Sequence, residues 1–413
     1  MGQRALLRAG ARVFAIVIGM TVGSGWASAE SVQPPAVESE AAILIEQRTG
    51  EAIFVKNGDE RLYPASITKI ATAILAIEHA SPDDIVTVSK TARGEEGTRV
   101  YLAEGEQVTM EKLLYGMMLN SGNDAATAIA EHIDGTKEKF AERMNEFMSG
   151  DIGADDTHFV NPSGLPDPDH YTTAYDMAKL ARYAMNNDTF RRIVATRTMP
   201  WAGLEWTSTL QNHNRLLTDY PGATGIKNGY TIAAGNTLVG SAERDGMSLI
   251  GVVLKAGSKE KAYADMKAML DYGFANFAVK LLFADGEQYE RPADEMGAAS
   301  GWVASAPIWG VYSKGEQPQV EIAGDGAVTL SSAGLRYEAG RLSAVKKEVA
   351  ISSFTKSGSD NEKAAAGGQP ANSSGSRIAA WACLALLAPA AVFAVVRLRR
   401  RRDKNRASER CDG

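Results

Sequence analysis

The chain has 413 residues, of which 45% are apolar, so it has room for two folded domains with attached tails. Its formal net charge is −6, and the basic stretches near its two ends contribute +3 and +5, which leaves −14 for residues 30–396. An acidic body of this kind argues against nucleic acid, or any other polyanion, as the main ligand.

Residues 1–29 have the pattern of a secretory signal peptide. Three arginines precede the apolar stretch 13–22, and Ala27-Ser28-Ala29 supplies the small residues of a cleavage site. We therefore expect the body of the protein to be exported, whether this segment is cleaved or stays as an anchor.

The region 38–278 is the predicted catalytic domain, and it mixes strand and helix patterns. It opens with strand-like segments at Ala41–Glu46 and Ala52–Val55, which a turn joins into a hairpin. Helical spacing follows at Ser66–His79, Met110–Met118, Asp124–His132, Lys137–Met148 and Ala174–Met185. Strands return near Gly225–Lys227, Thr237–Ala242 and Ser248–Leu254, before a helix at Lys259–Phe274. Strands from both ends of the region in one sheet, with helices between them, predict an α+β fold.

Three short motifs occur in this region: Ser66-Ile67-Thr68-Lys69, Ser121-Gly122-Asn123 and Lys227-Asn228-Gly229. Taken singly, they would be read as a solvated polar pair, a turn and a hairpin loop. Together and in this order they form the Ser-x-x-Lys, Ser-x-Asn and Lys-x-Gly signature of penicillin-binding proteins and serine β-lactamases.

The first motif has the chemistry of an activated nucleophile. Ser66 and Lys69 lie one turn apart on a predicted helix, so their side chains share a face. A serine hydroxyl needs a nearby base at neutral pH, and a lysine serves if burial and positive neighbours lower its pKa. The start of the helix adds free backbone N–H groups beneath the serine.

The resemblance extends beyond the motifs and covers about Ala41 to Phe277. It is carried by Glu46–Gly50, Leu62–Ile70, Tyr115–Ala126, Phe159–Leu165, Thr172–Ala178 and Thr224–Thr231. These segments resemble the D-alanyl-D-alanine carboxypeptidases, the low-molecular-mass serine penicillin-binding proteins. The resemblance implies a β-lactamase/transpeptidase-like catalytic domain, an antiparallel sheet with helices.

The resemblance also implies three catalytic residues. Ser66 would attack the carbonyl between the two terminal D-alanines of a peptidoglycan stem peptide and form an acyl-enzyme, while Lys69 receives or relays its proton. Ser121 would pass a proton to the departing amine. The same serine would bind penicillin and other β-lactam antibiotics covalently.

The remaining site residues would bind the substrate, and they are Asn123, Lys227, Asn228, Gly229, Tyr230 and Thr231. Lys227 would face the terminal carboxylate, and the oxyanion hole would come from the N–H groups of Ser66 and Tyr230. Asn228 departs from the family pattern, which usually has threonine there, so the detail of carboxylate binding is open. His213 and Lys261 lie where relatives have residues near the carboxylate pocket.

Two other functions fit parts of the pattern. A β-lactamase shares the three motifs, but class A enzymes need a glutamate that activates water, and no Glu-x-x-Leu-Asn segment occurs. A catalytically silent wall-binding protein would explain the altered Lys-Asn-Gly. Neither a Gly-x-Ser-x-Gly elbow nor a His-Glu-x-x-His zinc motif is present, so the reading requires no metal or cofactor.

The last part of the chain predicts an attachment to the membrane. Residues 279–352 have short β-prone stretches between glycine-containing turns and predict a small β-rich domain, and residues 353–377 have the composition of a flexible linker.

Residues 378–396 are uncharged and long enough to cross a bilayer as a helix, and the basic tail 397–413 marks the cytoplasmic side. We therefore predict a single-pass membrane protein with an extracytoplasmic catalytic domain. Both cysteines, Cys383 and Cys411, fall outside that domain.

Overall fold

The computed structural model describes residues 33–290 and 301–345. The predicted signal peptide, linker, membrane-spanning segment and basic tail lie outside these residues. Within the two described stretches, none of the helices combines the length and the apolar character that a bilayer crossing needs.

A five-stranded antiparallel sheet organises the first part of the chain, with the strand order β2-β1-β9-β8-β7. The strands up to residue 256 are β1 Ala41–Glu46, β2 Ala52–Lys56, β3 Ile85–Thr87, β4 Gln107–Thr109, β5 Thr198–Ala202, β6 Thr207–Gln211, β7 Ala223–Thr231, β8 Gly235–Arg244 and β9 Met247–Ala256. The first strand lies beside one of the last, with Ile43 opposite Val252. The predicted hairpin is present, because β1 also pairs with β2.

Helices lie on both faces of this sheet. They are α1 Lys69–His79, α2 Lys90–Arg93, α3 Met110–Leu119, α4 Asn123–Asp134, α5 Lys137–Phe147, α6 Ala174–Ala184, α7 Asp188–Ala195, α8 Leu216–Asp219 and α9 Lys259–Asn276. A 3₁₀ turn, Ala65–Thr68, precedes α1, and a π turn, Met148–Ile152, follows α5.

The burial of β1 shows that both faces of the sheet are covered. All of its residues are buried, and successive side chains of a strand point to opposite faces. Ile43 joins an apolar cluster with α1, α3, α4 and α6, whereas Leu44 joins another with Met266 and Leu270 of α9. The result is a three-layer α+β arrangement in which α1 is the central helix of the larger layer. The α+β prediction is therefore confirmed.

A smaller group of strands follows α9: β10 Phe277–Phe283, β11 Gln288–Glu290, β12 Gly301–Val303, β13 Ile308–Ser313, β14 Gln319–Ile322, β15 Ala327–Ser332, β16 Leu335–Arg341 and β17 Ser343–Val345. They form two- and three-stranded antiparallel sheets around Trp302, Val328 and their neighbours. Strand β10 begins directly where α9 ends. The predicted boundary between the catalytic region and the β-rich region, after residue 278, therefore falls inside this strand. The Arg48 guanidinium lies 4.1 Å from the ring centroid of Trp309, so the β-rich part touches the sheet's first hairpin turn.

Candidate active site

Ser66 lies in a tight turn at the base of the central helix. The sequence placed it in the first α-helical turn, but the structure has a 3₁₀ turn there, and α1 begins at Lys69. Ala65 has a left-handed φ of 51°, and the Pro64 carbonyl accepts a 2.8 Å hydrogen bond from the Thr237 hydroxyl on β8. These constraints hold a partly exposed serine hydroxyl at the edge of the sheet.

Lys69 is completely buried beneath this serine. Its Nζ lies 3.0 Å from Ser66 Oγ, 2.7 Å from Asn123 Oδ1 and 2.6 Å from the Ser163 carbonyl oxygen. Burial lowers the pKa of Lys69 well below its ordinary value, and the nearby Lys227 lowers that pKa further. The motif's lysine is therefore held in contact with the hydroxyl in an environment that favours the neutral amine.

The second motif lies where α3 meets α4. Ser121 has a left-handed φ of 63° and is buried, while Asn123 is the first residue of α4. The Asn123 side chain donates from Nδ2 to the Glu96 carbonyl at 2.6 Å, which leaves its oxygen facing Lys69. The Asn123 amide is thus a bridge between the lysine and the loop that precedes β4.

The third motif lies on β7, at the open edge of the central sheet. Lys227 is buried, its Nζ donates to the Asn228 carbonyl at 3.0 Å, and burial lowers its pKa to about 7. A Cβ atom at Gly229 would lie 2.7 Å from the Ser66 backbone nitrogen and 2.6 Å from Thr237 Oγ1. Only glycine lets the strand approach the serine turn this closely.

The other residues predicted on β7 differ in their surroundings. Asn228 Oδ1 is buried and accepts no hydrogen bond from the part of the chain that the structure describes. Tyr230 presents a 63% exposed side chain, and Thr231 Oγ1 accepts from the Ala234 N–H at 3.0 Å in the turn to β8. Thr231 therefore stabilises the turn between β7 and β8. Asn228 Oδ1 is an acceptor that has no donor among the described residues.

A loop that the sequence analysis did not assign to the site completes the floor under Ser66. Asn161 Oδ1 accepts from three successive backbone N–H groups, those of residues 163–165, and this fixes the Ser163 carbonyl that meets Lys69. A Cβ atom at Gly164 would lie 1.9 Å from the Ala65 carbonyl oxygen, so only glycine fits there. The Phe159–Leu165 segment of the resemblance was the available signal, although a backbone carbonyl leaves no motif of its own.

Buried His170 supports the same turn. Its Nδ1 accepts from the Val160 N–H at 3.1 Å, so its Nε2 carries the hydrogen and donates to Thr68 Oγ1 at 2.9 Å. Burial lowers the pKa of His170 to about 3, so this ring stays neutral. Its role is to position the turn that carries the first motif.

His213 and Lys261, the two further candidates, have different surroundings. Lys261 forms an ion pair with Glu38 on the protein surface. The pKa of His213 falls to about 4 because of burial, then because of Lys227 and Lys259. Lys259, rather than Lys261, therefore acts electrostatically on the histidine beside the third motif.

Comparison with known proteins gives the family context of this geometry. A family model described as D-alanyl-D-alanine carboxypeptidase matches residues 28–258. The D-alanyl-D-alanine carboxypeptidase DacF of Bacillus subtilis is 36% identical over 252 residues, which make up 60% of this chain and 64% of DacF. DacD of Escherichia coli is 31% identical over 304 residues, 70% of this chain and 76% of DacD. The chain thus spans slightly less than two thirds of the Bacillus relative.

Solved structures show a similar fold. DacD from Francisella tularensis has a TM-score of 0.63 at 28% identity, covering 72% of this chain and 90% of its own. Penicillin binding protein 5 from Haemophilus influenzae has a TM-score of 0.66 at 26% identity, covering 76% of this chain and 98% of its own. The similarity therefore reaches beyond residue 278, into the β-rich part.

Proposed function

This chain belongs to the D-alanyl-D-alanine carboxypeptidase family of serine peptidases, as its motifs predicted, and we propose that it removes the terminal D-alanine from peptidoglycan stem peptides. The observation that carries this proposal is the 3.0 Å contact between Ser66 Oγ and the Nζ of a buried lysine. The same serine would be acylated by β-lactam antibiotics, because they present a strained amide to the same nucleophile.

Lys69 is proposed as the base that activates Ser66. A neutral amine has two hydrogens and one lone pair, and the two shorter contacts of Nζ, to Asn123 Oδ1 and the Ser163 carbonyl, take the hydrogens. The lone pair is then left for the Ser66 hydroxyl. As Oγ bonds to the substrate's carbonyl carbon, its proton moves to Lys69.

Ser121 is proposed to complete acyl transfer. The C–N bond to the terminal D-alanine breaks, and the leaving amine needs a proton, which the Ser121 hydroxyl can relay from Lys69. Water then attacks the ester carbon: Lys69 takes a proton from this water and passes it to Ser66 Oγ as the ester C–O bond breaks, which frees the shortened peptide. The left-handed backbone at Ser121 fits a functional position, since such strain in a residue other than glycine persists where the surroundings enforce it.

Strand β7 is proposed to bind the substrate's carboxylate end. Lys227 contributes positive potential, and Asn228 can offer its amide N–H groups to the carboxylate. The N–H groups of Ser66 and Tyr230 would form the oxyanion hole, and the close approach of Gly229 to the Ser66 nitrogen supports that pairing. Asn123, which already bridges Lys69 and a backbone carbonyl, would face the substrate amide.

The direct test of this function is an assay with a defined peptide. Residues 30–376 would be incubated with a pentapeptide that ends in D-Ala-D-Ala, and released D-alanine would be measured. Release of one D-alanine per peptide supports the proposal. Hydrolysis of penicillin without D-alanine release would instead identify a β-lactamase, and binding without either reaction would identify a silent wall-binding protein.

Changes at Asn228 test carboxylate binding. We expect Asn228→Thr to change kcat/KM by no more than about tenfold, because both side chains can donate a hydrogen bond to a carboxylate. Asn228→Ala should cost more, since it removes the donor. Steady-state D-alanine release and the rate of penicillin acylation give both values, and an alanine variant as active as the native protein would show that the side chain has no part in binding.

We also propose that residues 378–396 anchor the protein in the membrane, with the catalytic region outside the cytoplasm. A chain that ends at Ser376 is expected to leave the membrane fraction and to hydrolyse a soluble peptide at the rate of the full chain. Fractionation and peptide assays on both chains measure this. Sedimentation of the shortened chain with membranes at high salt would contradict the proposal and point to residues 1–29 or to another surface.

A further inference from the structure

Tyr101 is an aromatic residue held in an unusual backbone conformation. Its φ is 56°, in the left-handed region that bulky residues rarely occupy, and its side chain is 48% exposed. A conformation of this kind persists only where its surroundings enforce it, and such positions concentrate at binding sites.

The enforcing contacts are buried. The Asp124 carboxylate, which is fully buried at the start of α4, accepts from the Val100 N–H at 3.0 Å and from the Leu102 N–H at 3.1 Å. Asn120 Nδ2 donates to the Arg99 carbonyl at 3.0 Å. The backbone on both sides of Tyr101 is therefore fixed, and the ring is left facing solvent.

This loop is attached to the proposed active site. The Asn123 N–H donates to the Thr98 carbonyl at 2.7 Å, and the Asn123 side chain contacts Lys69. Tyr101 follows Thr98 by three residues, a span of at most about 10 Å. The loop that carries Tyr101 is therefore joined by a direct hydrogen bond to a residue that contacts Lys69.

Other apolar side chains extend this surface. The Trp206 ring meets Tyr101 edge to face at a centroid distance of 5.5 Å, and Leu204 on the same hairpin turn is 76% exposed. The Arg99 guanidinium lies 5.3 Å from the Tyr101 centroid and adds hydrogen-bond donors. We call Tyr101, Leu204 and Trp206 the aromatic ledge.

We propose that the aromatic ledge binds pyranose rings of the glycan strand that carries the stem peptide. The axial C–H bonds of a pyranose ring are weakly positive and pack on the negative face of an aromatic ring, while Arg99 can donate to sugar oxygens. This inference rests on the proposed function, because the glycan is covalently joined to the peptide that occupies the site. That linkage raises its effective concentration at the ledge, so even weak stacking favours the polymeric substrate over a free peptide.

The test uses the full chain in detergent and two substrates: a free pentapeptide ending in D-Ala-D-Ala, and the same peptide on intact glycan strands. Tyr101→Asn removes the ring and keeps a residue that tolerates a left-handed φ. We expect it to lower kcat/KM for the glycan-linked peptide about tenfold more than for the free peptide. Tyr101→Phe should leave the ratio unchanged, as should Tyr183→Ala, which removes a partly exposed tyrosine from α6.

A second variant and a binding measurement keep the outcome decisive. Trp206→Ala should shift the ratio in the same direction, and chitohexaose should bind the native chain more tightly than either variant in calorimetry. Equal losses on both substrates would overturn the proposal, because the ring would then act only on the folding of its own loop. If the native chain releases D-alanine from neither substrate, the carboxypeptidase assignment fails separately, and chitohexaose binding still decides whether the ledge is a sugar site.

Discussion

Replacing Ser66 with alanine is expected to lower D-alanine release by more than about 10⁴-fold and to abolish covalent labelling by penicillin. Both reactions need the ester between Ser66 Oγ and an acyl carbon, and within the described residues the hydrogen bonds of Lys69 Nζ go to Ser66 Oγ, an amide oxygen and a backbone carbonyl, so Ser66 is the one hydroxyl among them. The side chain is small and partly exposed, so the melting temperature should change little. Labelling can be followed by mass spectrometry of the intact protein after incubation with penicillin.

The matched control is Ser149→Ala, a serine exposed in the π turn after α5. It should keep native activity and native labelling. Penicillin labelling of the Ser66 variant, at any residue and at a native rate, would contradict the proposed nucleophile.

Replacing Lys69 with arginine is expected to slow acylation by about 10²- to 10⁴-fold, the usual contribution of a general base. Arginine stays protonated, so it cannot accept the Ser66 proton, although it keeps a positive charge. In the native enzyme the lowered pKa of Lys69 means that its neutral fraction grows as pH rises through that value. Native kcat/KM should therefore rise with pH along its acidic limb, and the variant should lose this limb.

Penicillin acylation rates between pH 5 and 10 measure both effects. Lys179→Arg, on the exposed surface of α6, is the matched control and should keep the native profile. If the Lys69→Arg variant kept the rising limb and was acylated at a rate within tenfold of the native rate, another group would have to take the proton from Ser66.

Several elements could be predicted from the sequence because their signal is local. Strand β1 matches its predicted bounds, and α3, α6 and α9 differ from theirs by one or two residues. Apolar spacing depends only on neighbours along the chain, and a segment that is buried on one face must carry that spacing. Gly229 was predicted only as a substrate-binding residue, and it is the structure that gives a reason for glycine there, because a Cβ atom would lie 2.7 Å from the Ser66 nitrogen.

Other elements gave too little local signal. Helix α7 has 8 residues, and the β5–β6 hairpin exposes most of its side chains, so neither has a long apolar pattern. The start of α1 was placed too early, because the 3₁₀ turn has nearly the same side-chain spacing as one helical turn. The packing of Gly164 and Thr237 against this segment favours the 3₁₀ turn over an α-helical turn.

The residue types of the candidate site, and their order, can be read from the chain: a serine with a lysine one turn away, a second serine and an asparagine, and a lysine on a strand. The protonation state of Lys69 cannot be read in this way, because it depends on the fold. Lys69 Nζ contacts Asn123, 54 residues away in the sequence, and the Ser163 carbonyl, 94 residues away. The Lys69 side chain is also fully buried. Motifs are local in sequence, but burial and electrostatic neighbours exist only after distant segments have packed, and these are the quantities that set a pKa.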